Sequence, residues 1–426
     1  MVWHGRIAFV ADKQPLHGNF VNAIPHAVQI DRQGMSRLLR IGENRLQRFV
    51  LLTVAALLFA VAPSRALAEP QTSVVFERGA DGYHTFRIPA IVQAQASLIA
   101  ICEGRKNGAG DAGDIDVVCR RSNDGGKTWG PLQLIWDDGA NSCGNPCPVV
   151  DTTTGVIWLP LTHNLGTDRE DDIISKSSRG TRTVWMTHSD DLGASWTAPI
   201  NVTSTTKDES WTWYATGPGA AIQIHQGPHR GRLVVPCDHM EQSSRRYGSH
   251  AIYSDDHGAS WQRGEPTPKD DVNECEIVEL SDGALMINMR NYDRSIPARQ
   301  VAYSTDGGDS WDNQRHDPAL IEPVCQASIR RVRWPSDADP GLILFTNPAD
   351  ETMRRNLTLR GSVDDGSTWP FRRQLYGKSS AYSCLVAIDE TSAGCLYEVD
   401  DYGKIVFTRF SLDWIESSGA STAEAK

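Results

Sequence analysis

The chain lacks a basic surplus. Its 426 residues hold 42 Lys and Arg against 53 Asp and Glu, a formal charge of −11 at pH 7. Such a deficit argues against nucleic acid or an anionic membrane surface as partner, because both are bound through phosphate neutralisation by Lys and Arg. No set of His, Cys, Asp and Glu has a convincing metal-ligand spacing. The CGNPC stretch at 143–147 fits no zinc pattern, and the Asp-rich stretches lack the spaced ligands and closing Glu of a calcium loop. Neither a metal nor an organic cofactor is expected. No long amphipathic helical pattern, linker or second compositional regime is present.

Long apolar runs are almost absent too. The exception is the charge-free run at 49–63, which follows Arg45 and Arg48 and leads into Ala66-Leu67-Ala68, a small-x-small cleavage site. It is too short for a comfortable membrane span and reads as a secretory signal peptide. Residues 1–68 are therefore an N-terminal extension with its signal, and 69–426 the mature chain, exported to a periplasm or secreted, with no membrane span. Because such signals begin close to the initiator, Met35 is read as the true start. Cleavage removes eight basic and three acidic side chains, leaving 34 against 50, a net of −16. An anionic substrate would then need a local cluster of Arg. Nine cysteines remain, at 102, 119, 143, 147, 237, 275, 325, 384 and 395. They are expected mostly as buried small hydrophobes with at most one or two bridges, Cys102 with Cys119 being a candidate pair.

What the chain has in quantity is one short pattern. SNDGGKTW at 122–129, SDDLGASW at 189–196, SDDHGASW at 254–261, STDGGDSW at 304–311 and SVDDGSTW at 362–369 all read Ser-x-Asp-x-Gly-x-x-Trp. Asp and Ser can bond nearby backbone amides, Gly supplies positive φ, and Trp returns into an apolar gap, so each copy is a structural hairpin lock. The copies start 67, 65, 50 and 58 residues apart. Between them lie short strand-like runs such as IPAIV (88–92), SLIAIC (97–102), RLVVPC (232–237), LMINMR (285–290) and LILFTN (342–347). A unit of that length built from short strands is a propeller blade. Roughly 345 mature residues at this spacing predict a six-bladed β-propeller of four-stranded antiparallel blades, a single domain. The last blade would join residues 383–410 to the strand at 69–76.

The repeats resemble the Asp boxes of the sialidase family, and stretches that do not repeat carry the resemblance further. YHTFRIP at 83–89 resembles the Phe-Arg-Ile-Pro motif, whose Arg is one of three that grip the substrate carboxylate; this is Arg87. Read from the residues alone, a charge in an otherwise apolar run needs a fixed anionic partner, either a substrate or an internal salt bridge. Arg290 ends LMINMR, and RRNLTLR at 354–360 resembles the family's Arg-x-Asn-Leu-Thr pattern, favouring Arg354 over Arg355 and Arg360. Planar guanidinium forks suit a carboxylate. CEGRKNGAGDAGDIDVV at 102–118 resembles the loop that carries the family's general acid, with Arg105 as a further substrate contact. Asp111 is favoured as that acid, with Asp114 as its competitor and Asp116 expected at the start of the next strand, and its flanking glycines suggest a mobile loop. NECEIVELSDG at 273–283 resembles the stretch bearing the catalytic Glu, which points to Glu274, although Glu276 and Glu279 stand close by. SSAYSCL at 379–385 resembles the segment of the nucleophilic tyrosine, Tyr382. WTWYATGPG at 211–219 resembles a region near the acyl and glycerol pockets, where Trp213 or Tyr214 would line the site.

The resemblance spans about residues 70–415 and implies a monomeric, exported exo-α-sialidase that removes terminal sialic acids from glycoproteins, glycolipids and oligosaccharides. Asp111 would protonate the leaving oxygen, Tyr382 would form the glycosyl-enzyme with Glu274 as its base, and Arg87, Arg290 and Arg354 would hold the carboxylate. A phenol suits this role because the anomeric carbon of a sialic acid bears a carboxylate that repels an anionic nucleophile. Two other readings stay open. One is a trans-sialidase or a hydrolase of a related keto-deoxy sugar acid, which requires an aromatic acceptor platform or an altered acyl pocket. The other is a non-catalytic glycan-binding propeller.

Overall fold

A computed structural model describes residues 68–419. The signal peptide, its cleavage site and the alternative start at Met35 lie outside the described residues, apart from Ala68 itself. The expected runs form strands. IPAIV lies in Thr85–Ala94, SLIAIC in Ser97–Arg105, LMINMR in Leu285–Asn291 and LILFTN in Leu342–Pro348. Most of their residues are buried on both faces, because each sheet is packed between neighbours, and this is why the runs read as near-continuous apolar stretches. The described helices are short: Glu170–Ser175, Thr203–Thr206 and Leu412–Glu416.

The strands assemble into hydrogen-bonded sheets of nine, seven, five and four members, antiparallel except at one residue pair, Ile115 with Ser142. The seven-stranded sheet turns on one long strand, Phe371–Asp389. Its first half pairs with Arg355–Ser362 and its second half with Ser392–Val399. At the edge of that sheet Gln71–Glu77 pairs antiparallel with Lys404–Ser411, so the earliest described strand completes the sheet of the last ones. Apolar side chains pack between successive sheets, as Ile99, Val117, Leu159 and Phe407 do in one cluster.

All five repeated turns have one geometry. In the first, Ser122 Oγ donates to Asp124 Oδ1 at 2.8 Å and accepts from Gly126 N at 2.9 Å, while Thr128 N and Oγ1 donate to the two Asp124 oxygens at 3.0 and 2.6 Å. The same bonds recur around Asp191, Asp256, Asp306 and Asp364. The hydroxyl before each Trp is thus a further fixed feature of the pattern: Thr128, Ser195, Ser260, Ser310 and Thr368. Gly258 shows why the glycine is needed. Its φ is +90°, and a Cβ there would lie 2.1 Å from the Trp158 ring.

All nine cysteines are buried and free. The candidate Cys102–Cys119 bridge is absent. In the register of the two strands Cys119 stands opposite Ile101, and Cys102 opposite Val118, so the two are not cross-strand partners.

Candidate active site

Four strands carry site residues at places where their pairing register breaks. The breaks fall between Arg87 and Ala90, between Val272 and Cys275 around Glu274, between Ser380 and Ser383 around Tyr382, and between Arg355 and Leu357, just after Arg354. A bulge re-aims side chains that strict alternation would hold in the sheet. The distortion has a local cost: Ile88, beside Arg87, sits at φ +62°, and Val324, whose carbonyl bonds Arg354, at +57°. A β-branched residue in the left-handed region is an outlier that surrounding structure must impose, and such outliers gather at functional sites.

The result is one pocket of about 180 Å³ that draws together Arg87, Arg105, Asp111, Glu274, Arg290, Arg354 and Tyr382. At its floor Tyr382 Oη donates to Glu274 Oε1 at 2.6 Å. Arg290 Nη1 donates to Glu274 Oε2 at 2.6 Å and to Tyr382 Oη at 3.2 Å. Burial, reinforced by the Glu274 charge, pushes the Tyr382 phenol well above its ordinary pKa, against the pull of Arg290 and Arg354. The phenol is therefore neutral at rest, with its proton already directed at a carboxylate.

The arginines differ in how their charge is met. Arg87 is held by Glu398 through Nε at 2.8 Å, and the same carboxylate accepts from Ile88 N and Tyr382 N at 2.9 and 3.1 Å. Arg105 is held by Glu103 at 2.6 and 3.0 Å. Arg354 has only neutral acceptors, Val324 O at 3.2 Å and Tyr402 Oη at 3.4 Å, and no carboxylate within 4.0 Å among the described residues. Its partly buried guanidinium is the place where an anionic ligand would gain most.

Asp111 lies at the mouth, its side chain 74% exposed, with Oδ1 2.8 Å from Arg105 Nη1 and 3.7 Å from Arg87 Nη1. Desolvation pushes this carboxyl upward, but the charges of Arg105 and Arg87 outweigh it and hold the group below its ordinary value.

The competing residues fall elsewhere. Asp114 and Asp116 pair with Lys106, and Asp116 also accepts from Tyr83 Oη. Glu276 is fully buried beneath the pocket and Glu279 lines a different cavity. Arg355 is exposed and paired with Asp350, and Arg360 bonds Asn347. Trp213 lines the pocket, whereas Tyr214 is core.

Sequence reasoning missed several members. Glu398 and Glu103 orient Arg87 and Arg105, and Arg182 lines the pocket stacked 4.1 Å over Trp213. Arg182 bonds Asn164, Thr162 and Asn145. Asp238 and Glu170 complete that side; burial raises both carboxyls, most strongly Asp238, which also feels the charge of Glu274. Glu398 is the one charge of its strand, the same signal that singled out Arg87, and Glu103 stands two residues before Arg105 on a strand whose other side chains carry no charge.

The chain is all-β and built of antiparallel sheets, and its distorted strands present guanidinium groups, carboxylates and a buried phenol to one pocket whose chemistry suits an organic acid. Comparison with known proteins makes the class specific. The family described as BNR repeat-like domain matches residues 97–395. The sialidase of Micromonospora viridifaciens is 33% identical over 79% of this chain and 53% of its own length. The sialidase of Bacteroides fragilis is 33% identical over 75% and 61%. The exo-alpha-sialidase of Aspergillus fumigatus is 31% identical over 78% and 86%. The chain thus spans little more than half of the first relative. Among solved structures, Hadza microbial sialidase Hz136 is similar with a TM-score of 0.74 at 32% identity, over 81% of this chain and 69% of that one. A leech intramolecular trans-sialidase shares the fold at a TM-score of 0.72 and 20% identity, over 82% of this chain and 71% of that one. The chain belongs to the sialidase family.

Proposed function

We propose that the chain is a retaining exo-α-sialidase that hydrolyses terminal sialic acids from sialylated glycoproteins, glycolipids and oligosaccharides, with Tyr382 as nucleophile. The observation that carries this reading is the 2.6 Å bond from Tyr382 Oη to Glu274, set beneath Arg87, Arg290 and Arg354. Those three guanidinium groups receive the substrate carboxylate and favour an oxocarbenium-like transition state. Asp111 gives its proton to the glycosidic oxygen as that bond breaks. Tyr382 oxygen bonds to the anomeric carbon while its proton passes to Glu274. In the second half Asp111 takes a proton from water, the water oxygen displaces Tyr382, and Glu274 returns the proton to the phenol. Arg105, holding Asp111 and the loop carbonyl of Ala109, positions the acid.

The sheets divide into six meanders, four of four strands and two of five, if the long strand Phe371–Asp389 is counted in two and the nine-stranded sheet is cut between Ile115–Ser122 and Ser142–Gly144. This supports a six-bladed propeller over residues 69–426 as the catalytic domain, acting as a monomer. Its substrates, bound on glycoconjugates, fit export by the signal in residues 1–68. Among the described residues no helix is long and apolar enough to cross a membrane.

The test is release of a fluorogenic sialoside by wild type and Tyr382→Phe. Turnover should fall by about a thousandfold or more in the variant, since the covalent step loses its nucleophile. A wild-type rate in Tyr382→Phe would refute the assignment. A second reading, transfer to a sugar acceptor, is favoured by one feature. Tyr292 lines the pocket and stacks on Tyr247 with ring centres 5.2 Å apart and planes at 16°, a flat aromatic surface that could hold an acceptor. Formation of sialyllactose from a sialoside donor in the presence of lactose would support transfer; free sialic acid alone would support hydrolysis.

A further inference from the structure

A second cavity of about 600 Å³ lies at the far ends of the strands that build the active pocket. Val272–Glu279 carries Glu274 in one and Val278 with Glu279 in the other. Phe371–Asp389 carries Tyr382 in one and Leu385 to Ala387 in the other. The two cavities share no lining residue. Between them the space is braced by polar groups. Glu276 is fully buried and accepts from Ala220 N, Ser328 Oγ and Ile329 N at 3.1, 2.8 and 2.9 Å, and Gln326 bridges Pro218 O and Ser383 O. The far cavity is thus a separate compartment, within the roughly 300–1,000 Å³ typical of small-molecule sites.

Its chemistry is two-sided. The floor is apolar, formed by Ile91, Ile224, Val278 and Leu385. The rim carries Arg230, Arg330, Arg331 and Trp334. Arg331 is paired with Asp365 and Glu279 O, and its guanidinium lies 4.8 Å from the centre of the Trp334 ring. Glu279 is the acid of the lining, and its two oxygens are taken by His225 N and Gln226 N at 2.6 and 3.0 Å. Arg330 donates only to the carbonyls of Ala221 and Ala220, at 3.0 and 3.1 Å. Neither Arg330 nor Arg230 has a carboxylate within 4.0 Å among the described residues. Arg330 makes its direct bonds to neutral oxygens and feels the charge of buried Glu276 only beyond 4.0 Å, so its guanidinium can still take a direct anionic partner at the cavity.

We propose that this cavity binds an organic anion with an apolar body, its charged group on Arg330 and Arg230 and its body on the aliphatic floor beside Trp334. The site is distinct from the active pocket and does not depend on the catalytic reading. Anilinonaphthalene sulfonate has this chemistry and reports its own binding by fluorescence. Titrated into the whole chain, it should show one saturable transition that is unmoved by an unsaturated sialic-acid inhibitor occupying the active pocket. Decanoate should displace it, whereas decanol and lactose should not. Ala387→Trp, which fills the cavity, and Arg230→Glu, which reverses charge at the exposed rim, should each weaken binding by about tenfold or more. Both should leave sialoside turnover unchanged. If Ala387→Trp does not fold, Arg230→Glu alone decides. Absence of saturable binding, loss of binding on adding the inhibitor, displacement by lactose in preference to decanoate, or unchanged affinity in Arg230→Glu would overturn the proposal.

Discussion

As the proposed general acid, Asp111 meets in the free protein the same cations that the substrate carboxylate would need. Its oxygen stands between Arg105 and Arg87, and their charges keep it ionised at pH values where an ordinary Asp is protonated, although an acid catalyst must hold its proton. Substrate resolves the conflict. A carboxylate bound in the proposed way would neutralise Arg87 and remove one of the three guanidinium charges that depress Asp111, so the Asp111 pKa should rise in the complex. General-acid activity disappears as pH climbs through that pKa. The alkaline limb of kcat, which reports the complex, should therefore lie at higher pH than the alkaline limb of kcat/KM, which reports the free protein. Coincident or reversed limbs in a pH series with a natural-leaving-group substrate would count against this account. Arg354 gives a second residue-scale test. Arg354→Ala should lower kcat/KM by about a hundredfold or more, because a partly buried charge partner of the substrate is lost. Arg355→Ala, one position on but exposed and paired with Asp350, should stay within about twofold.

At the scale of elements the repeated turn is the unit to perturb. Trp261 is buried, donates from Nε1 to Gly258 O at 3.1 Å and meets Trp158 edge-on with ring centres 6.2 Å apart. Trp261→Ala should cost about 3 kcal/mol or more by urea unfolding, whereas Trp261→Phe, which keeps most of the apolar volume, should cost much less. Turnover per folded molecule should be unchanged, since the turn lies outside the active pocket. The carboxylate of the same unit acts through charge-assisted bonds. Bonds from Ser195 lower Asp191 to about 2 from an ordinary 3.8, so its contribution is present above 3.8 and is lost as pH falls toward 2. The Ser, Asp and Gly of these turns were legible in the sequence, because their mutual bonds lie within eight residues, whereas the Trp contacts, such as Trp129 Nε1 to Ser73 Oγ, reach other segments. The apolar strands were legible for the same local reason. The bulges were not: nothing in TFRIPA announces that Ile88 will sit at positive φ, since that strain is imposed by Glu398, 310 residues away. Site membership followed the same rule. Arg87 and Tyr382 could be placed by local motif, but Glu398, which ties them together, belongs to no motif and was visible only as a lone charge in LYEV. Arg182 gave no local signal at all, because its partners Asn145, Thr162 and Asn164 come from other segments.

For the whole molecule the critical pairing joins the two ends of the described chain. Gln71–Glu77 lies on Lys404–Ser411, with Ser73 opposite Phe407 and Val74 opposite Val406. Phe76 is buried and packs on Phe86, ring centres 5.3 Å apart, beside the strand that carries Arg87. Ser73 Oγ also bonds Gly126 O and accepts from Trp129 Nε1, which fixes the first repeated turn. A chain that begins at Glu69 keeps all these contacts and should match the longer chain in melting temperature and sialoside turnover. A chain that begins at Arg78 removes the strand, leaves Lys404–Ser411 as an unpaired edge and uncovers the groove beneath Phe76. Its melting temperature should fall by about 10 °C or more, with concentration-dependent aggregation as exposed edges pair between molecules. A synthetic peptide of residues 69–77, added in excess, should recover part of both losses, because the missing strand needs backbone pairing and one aromatic side chain rather than covalent continuity. Equal stability of the two truncated chains in calorimetry would mean that the strand contributes nothing to holding the sheets together.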